Sequence, residues 1–106
     1  MSDIDVEKSL RYLASTDKEY ADAKATVKYL EHKRKTVKAL QVLHASGTML
    51  EKESKAYASD EMQVFLEQYK DAVYDEQILQ NKRKSAELAI EVWRSENANR
   101  RSGNIT

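Results

Sequence analysis

The sequence predicts an all-α protein: an antiparallel hairpin of two long helices with a short corner helix, assembling into a dimeric four-helix bundle. Proline is absent and glycine occurs only at Gly47 and Gly103, so two long stretches contain neither helix breaker. Charged residues make up 34% of the chain, and apolar residues recur at steps of three and four. This combination is typical of long amphipathic helices rather than of a thick globular core.

The first helix is predicted over about residues 3–45. Ser2 is its candidate N-cap, and Asp3 and Asp5 place negative charge at the positive end of the helix dipole. The segment 15–19 has the pattern of a capping box, which leaves open a kink or a restart of the helix there. The apolar residues of this helix form one stripe: Val6, Leu10, Leu13, Tyr20, Ala23, Val27, Leu30, Val37, Leu40 and Leu43.

A corner is predicted after Gly47, which ends the first helix in a left-handed conformation. Thr48 and Glu51 then form a capping box that starts a corner helix over about residues 48–57. Ser59, followed by two acidic residues, offers a third helix start. The alternative is that the corner helix and the last helix are one continuous helix.

The last helix is predicted over about residues 60–100, followed by a frayed tail at 102–106. Its apolar stripe consists of Met62, Leu66, Tyr69, Val73, Leu79, Ala86, Ile90 and Trp93. Polar residues interrupt both stripes, where they either fix the register of the bundle or face solvent. The candidate pairs are Asp17 with Arg34 and Glu76 with Arg83.

The antiparallel arrangement is predicted from the distribution of charge along the chain. Residues 1–23 contain six acidic and three basic residues and have a net charge of −3. Residues 24–46 contain one acidic and six basic residues and have a net charge of +5. Residues 47–80 contain eight acidic and three basic residues, for a net charge of −5. Residues 81–106 contain three acidic and six basic residues, for a net charge of +3. A fold at the corner places blocks of opposite sign side by side, although each exposed pair contributes under about 1 kcal/mol.

Self-association is predicted because the helices carry more apolar residues than a single pair of helices buries. Homodimerisation supplies the missing neighbours, and docking on an unrelated protein is the alternative. The predicted interface consists of apolar side chains near the two chain ends and in the middle of the last helix: Ile4, Val6, Leu10, Leu13, Phe65, Ile78, Leu88, Ile90, Val92 and Trp93.

The sequence indicates neither an enzyme nor a cofactor. It has no cysteine, and its two histidines, His32 and His44, lie twelve residues apart on one helix, or about 18 Å. They are too distant to bind one metal ion, and no carboxylate stands three or four residues away in the spacing of a helical metal pair. The acidic N-terminus lacks the features of a signal peptide, and no apolar run spans a membrane, so we expect a cytoplasmic protein.

Direct binding of DNA or RNA is the alternative function, because basic residues are clustered along the helices. The candidate contacts are Lys33, Arg34, Lys35, Lys82, Arg83, Lys84, Arg94, Arg100 and Arg101. The competing interpretation is that the first of these clusters pairs with the acidic block of the last helix.

Three segments, residues 34–40, 53–59 and 93–100, resemble parts of small all-helical accessory proteins encoded among replication and recombination genes of tailed bacteriophages. The resemblance covers roughly residues 30–101 and includes no motif with a chemical mechanism. It implies a non-enzymatic helper of phage DNA replication or recombination, acting in the host cytoplasm. With the apolar surplus, it predicts a protein–protein interaction module.

Overall fold

A computed structural model describes the backbone of residues 3–105 and, within them, all side chains except those of Ile4, Asn104 and Ile105. It contains three helices: α1 (Asp3–His44), α2 (Met49–Ala58) and α3 (Asp60–Ile105). No strand occurs between residues 3 and 105. The predicted all-α class with a short corner helix is therefore confirmed, while the predicted cap Ser2 lies outside the described residues.

The chain divides into two compact units, each built around a length of α1 beside a length of α3. Unit 1 combines Met1–Ala21 with Gln77–Thr106, and unit 2 is the continuous segment Asp22–Glu76, which also includes α2.

In unit 1 the two helices run antiparallel. The indole Nε1 of Trp93 donates a hydrogen bond of 2.9 Å to Oδ1 of Asp3. Nη1 of Arg83 donates one of 2.8 Å to the carbonyl of Leu13, so a later residue of α1 meets an earlier residue of α3. The core of this unit consists of three buried apolar side chains, Val6, Ala86 and Ile90.

Unit 2 is also antiparallel, with α2 closing one end. Nζ of Lys38 in α1 lies 4.8 Å from the ring centroid of Tyr57 in α2, and the hydroxyl of Tyr69 in α3 donates to Oε1 of Glu31 at 3.2 Å. The core of this unit consists of Ala56, Met62 and Phe65, all of which are buried. The predicted antiparallel pairing is thus confirmed within each unit.

The predicted alternative of a helix restart at residues 15–19 is wrong, because α1 is helical without interruption there. The Thr16 hydroxyl donates to the carbonyl of Tyr12 at 2.7 Å, and the Ser15 hydroxyl donates to the same carbonyl at 3.1 Å. Hydroxyls that bond back to the preceding turn are compatible with a continuing helix. The capping-box residues are therefore present without forming a cap.

The predicted capping box of the corner is confirmed, but the prediction that Gly47 closes the first helix is wrong, because α1 ends at His44 and Gly47 lies in the connection after it. Gly47 has a φ of 116°, a region that favours glycine. The Thr48 hydroxyl accepts from the amide of Glu51 at 3.2 Å, and Oε2 of Glu51 accepts from the amide of Thr48 at 3.4 Å. These two bonds complete the capping box that starts α2.

A single residue, Ser59, separates α2 from α3. Its extended backbone, with ψ of 149°, ends α2, and its hydroxyl accepts from the amide of Met62 at 3.2 Å as an N-cap of α3. The alternative of one continuous second helix is therefore wrong.

The end of α3 differs from the prediction. The helix continues to Ile105, whereas we expected it to end near residue 100 and to fray from 102; Thr106 lies outside the described residues. Gly103 costs a helix only about 1 kcal/mol relative to alanine, and no proline follows to block the next turn. One glycine is therefore insufficient to end α3.

We expect Gly47→Ala to lower the free energy of unfolding by about 2 kcal/mol, because a side chain is strained at positive φ. A Cβ built at Gly47 would also collide with the Glu51 carboxylate that caps α2. Chemical denaturation measures the effect. The matched control is Gly103→Ala, whose Cβ meets nothing within 4 Å in α3 and which should stabilise the protein by about 0.5 kcal/mol. Equal effects of the two substitutions would contradict this account of the corner.

Candidate protein-interaction surfaces

The buried sides of α1 and α3 follow a heptad spacing in both units. In unit 1, buried or half-buried residues occupy positions 6, 9, 13, 16 and 20 of α1 and 79, 83, 86, 90, 93 and 97 of α3. In unit 2 they occupy positions 23, 27, 30, 37 and 41 of α1 and 62, 65, 69, 72 and 76 of α3; the α1 series is interrupted at position 34, where Arg34 is exposed. Alternating steps of three and four define the seam of a coiled coil, and they also define which residues point away from it.

Part of the predicted apolar stripe lies off this seam. Four residues assigned to it are exposed: Leu10, Leu40, Leu43 and Val73. Each is three or four residues from another apolar residue, but none keeps the seven-residue repeat. Spacing of three and four residues therefore assigned too many residues to the buried stripe. Because these four side chains are exposed, the chain has more exposed apolar surface than the sequence prediction implied.

In unit 1, a strip on the side of α3 that points away from the seam has no charged residue at six successive positions spaced three or four apart. The exposed residues Lys84 and Glu91 lie beside this strip, equally far from the seam. We name this surface the α3 outer face: Ile78, Asn81, Ser85, Leu88, Val92 and Ser95, all exposed. Ile78 is 38% exposed, Leu88 62% and Val92 48%. Apolar residues on a second side of a helix indicate a second neighbour.

The outward side of α1 in the same unit is different, because it is mostly basic and has no large apolar side chain. Its residues are Lys8, Arg11, Ser15 and Lys18. The absence of charge on the α3 outer face is therefore not a general property of outward positions in this unit.

The predicted interface residues fall into three groups. Ile78, Leu88 and Val92 lie on the α3 outer face, and Leu10 is exposed at the edge of the seam. Leu13 and Trp93 are half-buried, and the side chain of Ile4 lies outside the described residues. Three predicted residues are corrected, since they are buried within the chain itself: Val6, Phe65 and Ile90. All three occupy seam positions, where the neighbouring helix covers them.

In unit 2 the uncharged outward surface belongs to α1. We name it the α1 outer face: Ala25, Tyr29, His32, Thr36, Ala39 and Leu43, all exposed. Tyr29 is 61% exposed and Leu43 76%. Nζ of Lys33, at its edge, lies 5.7 Å from the ring centroid of Tyr29. Sequence reasoning missed this surface, although its residues repeat at outward heptad positions.

The basic cluster Lys33, Arg34 and Lys35 of α1 forms no direct ion pair with the described acidic residues of α3. Among the described residues, no ion pair within 4 Å involves Lys33, Arg34 or Lys35, all of which are exposed. Direct ion pairs between this cluster and the acidic block are thus not observed among these residues, and a match of the two blocks in net charge stays a prediction. Long lysine side chains at a surface lose rotamer freedom on pairing, which offsets the small Coulomb gain.

Glu31, the acidic residue inside this basic stretch, interacts instead with Tyr69. The pKa of the Tyr69 hydroxyl is raised above its ordinary value of 10.0, first by desolvation and then by the charge of the Glu31 carboxylate that accepts its hydrogen bond. Arg34 acts in the opposite direction.

Arg83 forms a polar contact inside the seam of unit 1. Its Nη1 donates to the Leu13 carbonyl and to Oγ1 of Thr16, both at 2.8 Å, and its Nη2 lies 3.3 Å from Oδ1 of Asp17. The guanidinium carbon lies 5.1 Å from the ring centroid of Tyr20. Only 13% of the Arg83 side chain is exposed.

This arrangement corrects two predictions. Arg83 is poorly placed to contact a phosphate backbone, because its side chain is largely buried and both of its terminal nitrogens contact α1. The register-fixing pair is Asp17 with Arg83, rather than Asp17 with Arg34 or Glu76 with Arg83. The other basic candidates, Lys82, Lys84, Arg94, Arg100 and Arg101, are exposed, and Arg94 pairs with Glu91 at 3.1 Å.

A groove of about 480 Å³ lies in unit 2, where alanine occupies a seam position on both helices. Its lining consists of Ala23, Thr26, Leu30, Gln68, Asp71, Ala72 and Asp75. Small residues at the seam leave this space because they do not fill the gap between the helices. The sequence stripe included Ala23 as an apolar residue and gave no sign of the groove.

Nothing in the described part of the chain resembles a metal centre, since no group of three or more His, Asp or Glu residues is suitably placed there. His32 and His44 are both exposed. Within the same residues, none of the helices has a stretch with the length and apolarity needed to cross a membrane. Comparisons with protein-family models, curated proteins and solved structures give no match.

We expect Arg83→Ala to lower the free energy of unfolding by about 2–4 kcal/mol, because hydrogen bonds from a charged, largely buried donor are stronger than neutral ones. Arg83→Lys should lose most of this stability, since an ammonium does not reproduce the forked geometry. Urea denaturation at fixed protein concentration measures both. The neighbouring Lys84→Ala is the matched control, with an expected change within about 0.5 kcal/mol. Indistinguishable stabilities of the Arg83 and Lys84 variants would contradict a register-fixing role.

Proposed function

We propose that this protein is a non-catalytic helical interaction module that self-associates through uncharged outward surfaces of its helices. The observation that carries the proposal is the α3 outer face, whose six residues include none that is charged and which presents Ile78, Leu88 and Val92 to solvent. Exposed apolar patches of this kind are typical of interaction sites on soluble proteins.

The expected association is weak. Burying the exposed part of one such side chain contributes on the order of 1 kcal/mol, since roughly half of each is already covered. A few side chains from each copy then supply several kcal/mol, against the freedom lost when two molecules join. We therefore expect association no tighter than about the high micromolar range, since even micromolar affinity requires a net free energy of about −8 kcal/mol.

The biological process rests on the resemblance of residues 34–40, 53–59 and 93–100 to phage accessory proteins. We propose on that basis that the module acts on a protein of DNA replication or recombination. Flat, weakly apolar helix faces suit reversible assembly on such machinery better than catalysis.

Nucleic-acid binding is the second candidate function, favoured by a specific observation. The basic residues Lys33, Arg34 and Lys35 are exposed in unit 2 and form no ion pair with the described acidic residues. Unpaired lysine and arginine along a helix are suited to phosphate contacts.

We expect Leu88→Asp to shift the protein toward the monomer of 12.2 kDa at concentrations where the parent chain associates, because the substitution places a charge in the buried contact. Light scattering over a concentration series measures the shift. The control is Ser15→Asp, at an outward position of α1 in the same unit. A parent chain that stays monomeric at every concentration would refute self-association, and an unchanged Leu88→Asp variant would exclude the α3 outer face.

Binding of a fluorescent oligonucleotide, titrated with salt, tests the second candidate. If phosphates are bound, the logarithm of the affinity should fall linearly with the logarithm of salt concentration, and each removed contact should reduce the slope by about 0.7–0.9. Lys33→Ala/Lys35→Ala and Arg100→Ala/Arg101→Ala test the two clusters separately. Lys8→Ala/Lys18→Ala removes the same charge elsewhere on α1 and serves as control. No binding at about 50 mM salt would remove this candidate.

A further inference from the structure

The α1 outer face and the α3 outer face have matching patterns of apolar and polar residues. Along α1 the residues read Ala25, Tyr29, His32, Thr36, Ala39 and Leu43, and along α3 they read Ile78, Asn81, Ser85, Leu88, Val92 and Ser95. Each face has two neighbouring polar residues with apolar residues on both sides, His32 and Thr36 on α1 and Asn81 and Ser85 on α3, and the α3 outer face ends on a third polar residue, Ser95. Both faces use the same alternation of three and four residues, which is the repeat that two helices need to pack along a seam.

We propose that the α1 outer face of one molecule docks antiparallel on the α3 outer face of a second copy of this chain. The inference rests on the proposed self-association and names its two surfaces. The contact is heterologous, because it joins two different surfaces. Each molecule thus offers one α1 outer face and one α3 outer face.

The proposal rests on how the residues of the two faces oppose one another, pair by pair, when the two helices are aligned antiparallel. Each opposing pair is called a layer. When Ala39 is set opposite Ile78 of the second copy, Thr36 comes opposite Asn81, His32 opposite Ser85, Tyr29 opposite Leu88 and Ala25 opposite Val92. Every apolar residue in these five layers meets an apolar residue, and every polar residue meets a polar one. The small side chains of Ala25 and Ala39 face branched residues, which permits close approach of the helices.

One further step along each helix extends the match. Leu43 comes opposite position 74, which is Tyr74, and Tyr74 is 65% exposed. The two most exposed large side chains of the α1 outer face, Tyr29 and Leu43, are then both covered.

Charges beside the faces modify the strength of the contact. The same register places Lys28 near Glu91, an attractive pair, but it also places Lys33 near Lys82 and Lys35 near Lys84. Screening reduces repulsion between exposed charges. Assembly should therefore strengthen with added salt, which is opposite to the salt dependence of nucleic-acid binding.

An isologous contact of two α3 outer faces is the competing arrangement, since an antiparallel pair also sets Ile78 opposite Leu88. That contact leaves the α1 outer face in water, with Tyr29 61% and Leu43 76% exposed. It also places Lys82 near Lys82 of the second molecule and Lys84 near Lys84 of the second molecule. None of the residues that flank this contact forms an attractive pair. The heterologous contact covers both faces and includes the Lys28–Glu91 pair, so we favour it.

Complementation of two variants tests the proposal. Tyr29→Asp/Leu43→Asp disables the α1 outer face, and Leu88→Asp/Val92→Asp disables the α3 outer face. Each variant alone should sediment as the 12.2 kDa monomer. An equimolar mixture should form a one-to-one heterodimer, because the first variant keeps its α3 outer face and the second keeps its α1 outer face. The parent chain should form larger species as its concentration rises.

Controls separate this contact from loss of folding and from other modes of assembly. Ser15→Asp/Lys18→Asp also introduces two aspartates, at outward positions of α1 in unit 1, and should assemble like the parent chain even though it lowers the net charge by three rather than two. Circular dichroism of every variant should show the helical content and melting of the parent chain.

Several outcomes overturn the proposal. If Tyr29→Asp/Leu43→Asp still dimerises while Leu88→Asp/Val92→Asp does not, the contact is isologous, and self-association itself survives. If both variants are monomers and their mixture also remains monomeric, the two faces do not bind one another. A monomeric parent chain at all concentrations refutes the proposed self-association together with this inference.

Discussion

A helix that packs against a single neighbour buries only one side, and the structure of this chain follows from that limit. In both units α1 and α3 bury the residues of one heptad seam, and the outward positions remain in solvent whatever their chemistry. Outward residues of a helix that needs no further neighbour are usually charged, as Lys8, Arg11 and Lys18 are. The α1 outer face and the α3 outer face depart from that rule, and the case for a binding role derives from this departure.

Within unit 1 the seam is stabilised by polar as well as apolar contacts. Arg83 has donors for the Leu13 carbonyl and the Thr16 hydroxyl at the same time, and its planar group lies beside Tyr20. An apolar residue at this position would tolerate sliding of one helix along the other by a heptad, whereas the directional bonds of a guanidinium define one alignment. The ion pair with Asp17 contributes less, because 80% of the Asp17 side chain is exposed.

Local signals in the sequence predicted local structure well. Thr48 with Glu51 and Ser59 with Met62 form the predicted caps, because a cap depends on residues within one turn of each other. The same pattern failed at residues 15–19, where the Thr16 hydroxyl bonds to Tyr12 and accepts from Arg83 on the other helix. The antiparallel pairing was predicted correctly from net charge, and Asp17–Arg83 is an ion pair that joins α1 to α3. To predict which residues point outward, one must know which side of each helix forms the seam. Spacing of apolar residues at three and four did not decide this, because such spacing occurs on more than one side of the same helix.

The corner between α1 and α2 gives the chain one place where its length can change freely. A residue inserted within a helix turns everything after it by about 100°, which would rotate seam residues outward and outward residues inward. Ala45, Ser46 and Gly47 lie between helices, so residues added before Thr48, the N-cap of α2, leave the phase of both α1 and α2 unaltered. A peptide tag or a fluorescent reporter introduced at this bend would therefore leave both outer faces with their residues in register, while the same insertion near residue 33 or 85 would scramble one of them.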